Sequence, residues 1–251
     1  MQPIAIIILA GIIIAGIASL LNFRFLFYPL FPSLNPTAHK EQIKLKGETL
    51  FISDLHLKSD REFEYAHHLR AFLESRHVEN LVVNGDLFNS PEDAHAILRD
   101  QAPDSVLRRL GLNGVEINYF WVIGSPPHDL SNVQKSSSFG GFRVLGKCVE
   151  MGLGGMRVLV YHGHDMAVKG FLGHAWDRFI SKLSLERAWK RCAGVDRDTW
   201  VFFGHTHIPG IDSEHRVANS GGWQTVPLVK PTKTGLLMSD SQSAPELVRI
   251  A

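Results

Sequence analysis

The chain has 251 residues, 26 Lys plus Arg against 25 Asp plus Glu, 45% hydrophobic residues and two cysteines, which excludes disordered, collagen-like and disulfide-stapled classes. A net charge of +1 gives no long-range basic field, so binding to nucleic acid is not expected and no acidic partner is indicated. The length allows one domain of about 200 residues or two small ones, and the near-zero mean hydropathy averages two unlike parts.

The first part is apolar. From Ile4 to Leu21 eighteen residues pass without a charge; as a helix they cover roughly 27 Å of a hydrocarbon core about 30 Å thick. Asn22–Tyr28 mixes aromatics with Arg24, as suits a bilayer interface, and Pro29 and Pro32 stop any helix. A cleaved secretory signal competes with this reading, since Gly16-Ile17-Ala18 offers small residues at cleavage-site spacing. No Lys or Arg precedes the run, however, which favours a retained anchor. Arg24, Lys40, Lys44 and Lys46 follow the span, so the positive-inside rule makes this a single-pass membrane protein with a cytoplasmic C-terminal domain. Cys148 and Cys192 fit that compartment as free thiols, although the sequence leaves a disulfide between them open.

Residues 1–33 thus read as anchor and interface segment, 34–46 as a polar juxtamembrane linker or edge strand, and 47–251 as one domain without internal repeats. Periodicity predicts a strand over Thr49–Ser53, a helix over Glu62–Arg76, a strand over Leu81–Asn84, a helix over Pro91–Leu110 and a strand over Val115–Ile123. Further strands are expected at Phe142–Leu145, Lys147–Met151, Arg157–Tyr161, Thr199–Phe203, Arg216–Asn219, Thr225–Leu228, Lys233–Ser239 and Glu246–Ile250. Between Tyr161 and Trp200 lies a helical stretch with an apolar face. The alternation argues an α/β fold in which helices cover a sheet.

Five of the apolar strands run out into Asp or His. Leu50-Phe51-Ile52 is followed by Asp54-x-His56, whose i and i+2 side chains share one side of a strand end. Leu81–Asn84 ends in Gly85-Asp86, Phe120–Ile123 in Gly124-Ser-Pro-Pro-His128-Asp129, Val158–Tyr161 in His162-Gly-His164-Asp165, and Trp200–Phe203 in Gly204-His205-Thr-His207. Ligands of α/β sheets gather at carboxyl ends of strands. Each motif alone has an ordinary reading as a strand cap, a turn or a satisfied core histidine, but six of the thirteen histidines fall within them. Imidazole with carboxylate and no motif cysteine suits Mn, Fe or Zn rather than Ca or Mg. With six or more ligands available, two divalent metal ions are expected, the arrangement used for in-line attack at phosphorus.

The ordered set Asp-x-His, Gly-Asp, Gly-…-His-Asp, His-Gly-His and Gly-His-x-His over residues 50–223 resembles the calcineurin-like metallophosphoesterase superfamily. The resemblance implies a four-layer α-β-β-α sandwich in which Asp54, His56 and His207 hold one metal, His162 and His205 the other, and Asp86 bridges them. It implies a phosphoester substrate attacked by a metal-bridging hydroxide, with His128 stabilising the transition state or protonating the leaving oxygen, Asp129 orienting His128, and His164 either a further metal ligand or a residue behind the ligands. Two departures stand out. The family's Gly-Asn-His is here Gly124-Ser125-Pro126-Pro127-His128, with no Asn ligand, so Ser125 or a water is expected to stand in; and Gly-Asp-x-x-Asp reads Gly85–Asn89.

Asp54-Leu-His-Leu57, Gly85-Asp-Leu-Phe88, Gly204–Pro209 and Asn219-Ser-Gly-Gly-Trp223 resemble the UDP-2,3-diacylglucosamine pyrophosphatase branch, whose substrate is lipid-linked and which inserts a helical cap where residues 165–198 stand here. Phe171, Trp176, Arg178 and Phe179 of that stretch are candidate substrate contacts, with Lys169, Lys182, Arg187, Lys190 and Arg191 available to phosphates. An amphipathic helix packed on the sheet is the plainer alternative for the same residues. Competing readings of the whole chain are a phosphoprotein or nucleotide phosphatase localised to the membrane, and a non-catalytic binding protein of the same fold.

Overall fold

The computed structural model describes residues 42–99, 102–130, 137–164, 181–225 and 230–251. The expected anchor, most of 34–46, residues 165–180 of the expected cap and most of the Thr225–Leu228 strand lie outside the described residues. Among the described residues no helix is long and apolar enough to cross a membrane.

Thirteen strands and four helices are described. In chain order they are β1 (Gln42–Leu45), β2 (Thr49–Ile52), α1 (Ala66–Ser75), β3 (Asn80–Asn84), α2 (Pro91–Leu98), α3 (Ser105–Arg109) and β4 (Asn118–Val122). There follow β5 (Ser138–Phe139), β6 (Phe142–Val144), β7 (Cys148–Leu153), β8 (Met156–Tyr161), α4 (Ser184–Cys192), β9 (Trp200–Phe203), β10 (Gly210–Asp212), β11 (Val217–Asn219), β12 (Thr234–Met238) and β13 (Glu246–Arg249). They form two mixed sheets, one of order β1-β7-β8-β9-β11-β10 and one of order β13-β12-β2-β3-β4-β6-β5. β2, β3, β4 and β6 run parallel, as do β8, β9 and β11.

The two-residue period of each strand sorts its side chains into separate cores. Leu50 and Ile52 of β2, Leu81 and Val83 of β3, and Tyr119 and Trp121 of β4 pack on one face with Leu69 and Leu73 of α1, Ala94 and Ile97 of α2, and Val106 of α3. Phe51, Val82, Phe120 and Val122 point to the opposite face and meet Val149, Met151, Val158, Val160 and Phe202 of the six-stranded sheet. The outward residues of that sheet, Leu159, Tyr161, Val201, Phe203 and Val217, are covered by Leu185 and Trp189 of α4. The order of layers is therefore helix, sheet, sheet, helix, and because both sheets are covered on both faces their strands read as continuous apolar runs.

Local differences from the sequence expectation have local causes. Gln42–Leu45 is an edge strand, paired in parallel with β7. The expected helix Pro91–Leu110 is two: α2 begins with Ser90 as N-cap and Pro91 in its first turn, and Pro103 precedes α3, where a missing N–H and a ring clash prevent a continuous helix. β5 and β10 span two and three residues, too short for a period to register. Both cysteines are free.

Candidate metal centre

The parallel strands β2, β3, β4, β8 and β9 deliver their polar tails to the same edge of the sandwich. β2 and β3 stay zipped beyond their ends: the N–H groups of Asp54, His56 and Leu57 donate to the carbonyls of Gly85, Asp86 and Leu87 at 3.1, 3.0 and 2.9 Å. Leu55 and Leu57 enter the core, while Asp54 and His56 turn away from it. Asp54, His56, Asp86, His205 and His207 all adopt left-handed backbone conformations, with φ of 56°, 48°, 49°, 63° and 56°. Non-glycine residues held there cost of order 1 kcal/mol each or more, and such strain gathers at functional sites. Close approach is equally demanding: a Cβ on Gly222 would stand 2.2 Å from His207 Nδ1, and one on Gly85 2.4 Å from the His162 ring.

Three groups of ligand atoms converge, each within 4.8 Å: Asp54, His56 and His207; Asp86, His162 and His205; and His56, Asp86 and His128. Asp86 thus joins the second group to the third, and His56 the third to the first. The protein fixes the far side of each ligand. Asp54 Oδ2 accepts the Ser53 hydroxyl at 2.5 Å and the His205 N–H at 3.0 Å. Its Oδ1 is buried without a hydrogen bond, although His207 Nε2 lies 3.1 Å away. His162 Nδ1 meets the Asn84 carbonyl at 2.8 Å, so Nδ1 carries the hydrogen and Nε2 faces Asp86 Oδ1 at 3.2 Å. The Nε2 atoms of His56 and His162 are likewise buried without hydrogen bonds. Lone pairs of two carboxylates and several imidazoles facing one another in this way fit divalent cations of the imidazole-binding kind.

The charge balance agrees. Burial acts to raise the carboxyl groups of Asp54 and Asp86, yet His207 and His162 hold the first low and His162 holds the second well below the usual range. Burial pushes His56 down to about 4, against the pull of Asp54 and Asp86, so its imidazole is neutral and suited to ligation. His162 is driven the other way, to about 10, because Asp86 and Asp54 outweigh its burial.

His128 stands beside this cluster with its ring 4.6 Å from that of His56 and Nε2 4.0 Å from Asp86 Oδ2. Its Nδ1 lies 2.7 Å from the Asn89 carbonyl. The expected orienting role of Asp129 is therefore corrected: Asn89 holds the ring. The Asp129 carboxylate is buried and accepts backbone N–H groups from Gly124 (2.6 Å), Asp86 (2.9 Å), Leu87 (2.9 Å) and Phe88 (3.4 Å). Burial and the Asp86 charge push Asp129 up to about 7 against those hydrogen bonds. Ser125 lies in the centre, its N–H and hydroxyl both donating to Asp86 Oδ1 at 2.8 and 2.6 Å. His164 is outside the three ligand groups, its ring 6.3 Å from that of His162.

Phe171, Trp176, Arg178 and Phe179 lie outside the described residues, as does Lys169. The later part of the expected cap is α4, whose Leu185 and Trp189 pack on the sheet. Its Lys190 is not available to phosphate: the ammonium is buried and donates to the carbonyls of Thr199 (2.7 Å) and His215 (2.8 Å). Arg187 is paired with Asp212 at 2.9 Å.

Sequence reasoning gave no role to Ser53, Asn84 or Asn219. Asn84 donates to the carbonyls of Tyr161 and Phe202, tying the two sheets together under the site. Asn219 donates to the Gly204 carbonyl at 2.7 Å and accepts from the Gly221 N–H at 2.9 Å, fixing both loops around His207. The available signal was a polar residue closing an apolar run next to a ligand motif.

No curated protein matches the sequence. Among solved structures the chain is similar to zinc-complexed Vps29 from Entamoeba histolytica, with 20% identity, TM-score 0.46 and coverage of 77% of this chain and 87% of that one. It is also similar to the phosphoesterase Yfce from E. coli, with 15% identity, TM-score 0.43 and coverage of 81% and 100%. A third is the nuclease MPE from Pseudomonas putida, with 14% identity, TM-score 0.39 and coverage of 75% and 84%. The sequence model of the calcineurin-like phosphoesterase superfamily domain matches residues 48–240, the span that carries β2 to β12 and all three ligand groups; the chain belongs to that superfamily and is a phosphoester hydrolase.

Proposed function

We propose that the protein is a membrane-anchored, binuclear metal-dependent phosphoesterase acting on a phosphoester or pyrophosphate carried by a lipid-linked substrate. The observation that carries the catalytic part is the convergence of Asp54, His56 and His207 beside Asp86, His162 and His205. Asp54, His56 and His207 would hold one divalent cation, and His162 and His205 a second, with Asp86 between them. Bound cations supply Lewis-acid polarisation of the phosphoryl oxygens and an activated water.

The chain's own groups do the rest. His128, with Nδ1 anchored on Asn89, exchanges a proton at Nε2 with the departing oxygen. Asp129 fixes Gly85–Phe88 and Gly124 as one rigid unit, so Asp86 and Ser125 keep their relative position through turnover. The uncharged run Ile4–Leu21 supports the anchor, with the domain on the cytoplasmic side, and an anchor raises the effective concentration of a substrate held in the same bilayer.

The test is to purify the protein, determine bound Mn, Fe and Zn, and assay a generic phosphodiester with and without Asp86→Ala. Bound metal and turnover abolished by the substitution are expected; a metal-free protein with no Asp86-dependent turnover would sink the proposal. A lipid pyrophosphate turned over no faster than a soluble nucleotide would remove the lipid-linked part and leave a nucleotide phosphatase.

A further inference from the structure

The two cation positions are not equivalent, and Ser125 is the reason. Asp86 Oδ1 accepts two hydrogen bonds from one residue, the Ser125 N–H at 2.8 Å and the Ser125 hydroxyl at 2.6 Å. The hydroxyl is the donor of the second bond, as the N–H is of the first. A carboxylate oxygen presents about two lone-pair directions, and here both are taken. Yet this is the oxygen that faces His162 Nε2, 3.2 Å away. The other oxygen, Oδ2, faces His128, 4.0 Å away, in the group that includes His56.

Ser125 cannot drift from this place. Its carbonyl accepts the N–H groups of His128 (3.0 Å) and Asp129 (2.8 Å), closing a turn around Pro126 and Pro127. Asp129 in turn holds Gly124 and Asp86. The residue is buried, at 6% exposure.

We propose that Ser125 is a positioning residue that makes the centre asymmetric: it turns Asp86 so that Oδ2 serves the cation held by Asp54, His56 and His207, and blocks Oδ1 toward the position at His162 and His205. The first cation is then bound firmly and the second weakly and exchangeably. This inference rests on the metal-centre reading above and concerns how that centre fills.

The test is calorimetric titration of Mn2+ into the metal-free full-length chain in detergent, with bound Mn2+ followed by electron paramagnetic resonance. The wild type is expected to bind one Mn2+ tightly and a second at least about tenfold more weakly, the worth of one charge-assisted hydrogen bond. Ser125→Ala removes the hydroxyl and keeps the N–H, so the weak constant should tighten while the strong one loosens, and the two converge. Ser125→Thr keeps the hydroxyl and should restore the wild-type spacing. A residue with a merely structural role would weaken both constants together, and that result overturns the proposal. Two equal constants in the wild type overturn it as well, with the metal-centre reading left standing. No Mn2+ bound by the wild type would instead remove the metal-centre reading itself.

Discussion

The Asp129 carboxylate accepts the backbone N–H of Asp86 at 2.9 Å, so the residue between the two candidate cation positions is held from below by a second buried acid. Both Asp129 oxygens are occupied by N–H donors, Oδ2 by Gly124 and Asp86, Oδ1 by Leu87 and more distantly by Phe88. No orientation of an amide satisfies this set. Asp129→Asn would point an NH2 group at N–H groups on one side or the other, and the unfolding free energy should fall by about 3 kcal/mol, from lost charge-assisted bonds and donors left buried without acceptors. Urea denaturation of the metal-free protein above about pH 8, where Asp129 is ionised, measures this directly; a loss under about 0.5 kcal/mol, the range of an ordinary surface change, would contradict the arrangement.

Gly222 has a different constraint, the absence of a side chain beside the candidate ligand His207. A Cβ there would sit 2.2 Å from His207 Nδ1 and 2.7 Å from its Cγ. His207 is 4% exposed and cannot swing into solvent without opening the loop. Gly222→Ala should therefore displace the imidazole and weaken the tighter cation by about 10- to 100-fold, the usual effect of disturbing a ligand's support. Retention of wild-type metal affinity would show that His207 is not a ligand.

The clustering of these side chains was legible in the sequence because they follow apolar runs. Ile52, Asn84, Val122, Tyr161 and Phe203 each end a buried parallel strand, and parallel strands bring their carboxyl ends to one edge. What escaped was carried by backbone groups. The role of Asp129 depends on N–H donors that any residue possesses, and the holder of His128 is a carbonyl, that of Asn89, which no side-chain pattern reports. The left-handed conformation at Asp54, His56, Asp86, His205 and His207 also contradicts local preference and is imposed by the paired loops. In α4, Lys190 reads as part of a basic helix face, but the turn before Trp200 and the approach to β11 surround it with carbonyls. Long-range enclosure of that kind has no local signature.

His128 is placed to act on a proton rather than to retain metal. Its Nδ1 is engaged by Asn89 and its side chain remains about a third exposed, open to an incoming substrate. His128→Gln should lower kcat on a phosphodiester by about 10²-fold or more, as for loss of a general acid, while bound metal stays at the wild-type level. Loss of metal in parallel with activity would reassign His128 as a ligand in the group it forms with His56 and Asp86.

α4 covers the outer face of the six-stranded sheet through Trp189, which is fully buried and stacked on Tyr161 with ring centroids 4.6 Å apart. Tyr161 directly precedes His162, so the same contact backs the metal centre. Trp189→Ala removes a large buried side chain and should cost about 3–5 kcal/mol, read as a lowered thermal midpoint. A shift of under 2 °C would mean that α4 contributes little to the fold.

The neighbouring Lys190 gives a pH dependence with a definite sign. Burial, helped by Arg216, pushes its ammonium from 10.5 down to about 8. Between those values the folded protein has released a proton that the unfolded chain still binds, so folding releases a proton and this group makes stability rise with pH across the window. Below about pH 8 both states hold the proton and the penalty for burying the charge is present in full. Cys148 acts oppositely: burial raises its thiol from 9.0 to about 12, so the folded state keeps a proton that the unfolded chain loses, and stability falls above pH 9. The two effects overlap, and a variant separates them. Lys190→Met should lose the upward contribution between pH 8 and 10.5, visible as a growing stability deficit against wild type across urea titrations at pH 7, 8, 9 and 10. It should also be less stable at pH 7, by about 1–3 kcal/mol, because the Thr199 and His215 carbonyls lose their donor. A deficit that is constant over this range would show that Lys190 keeps its proton in the fold, held by the same carbonyls.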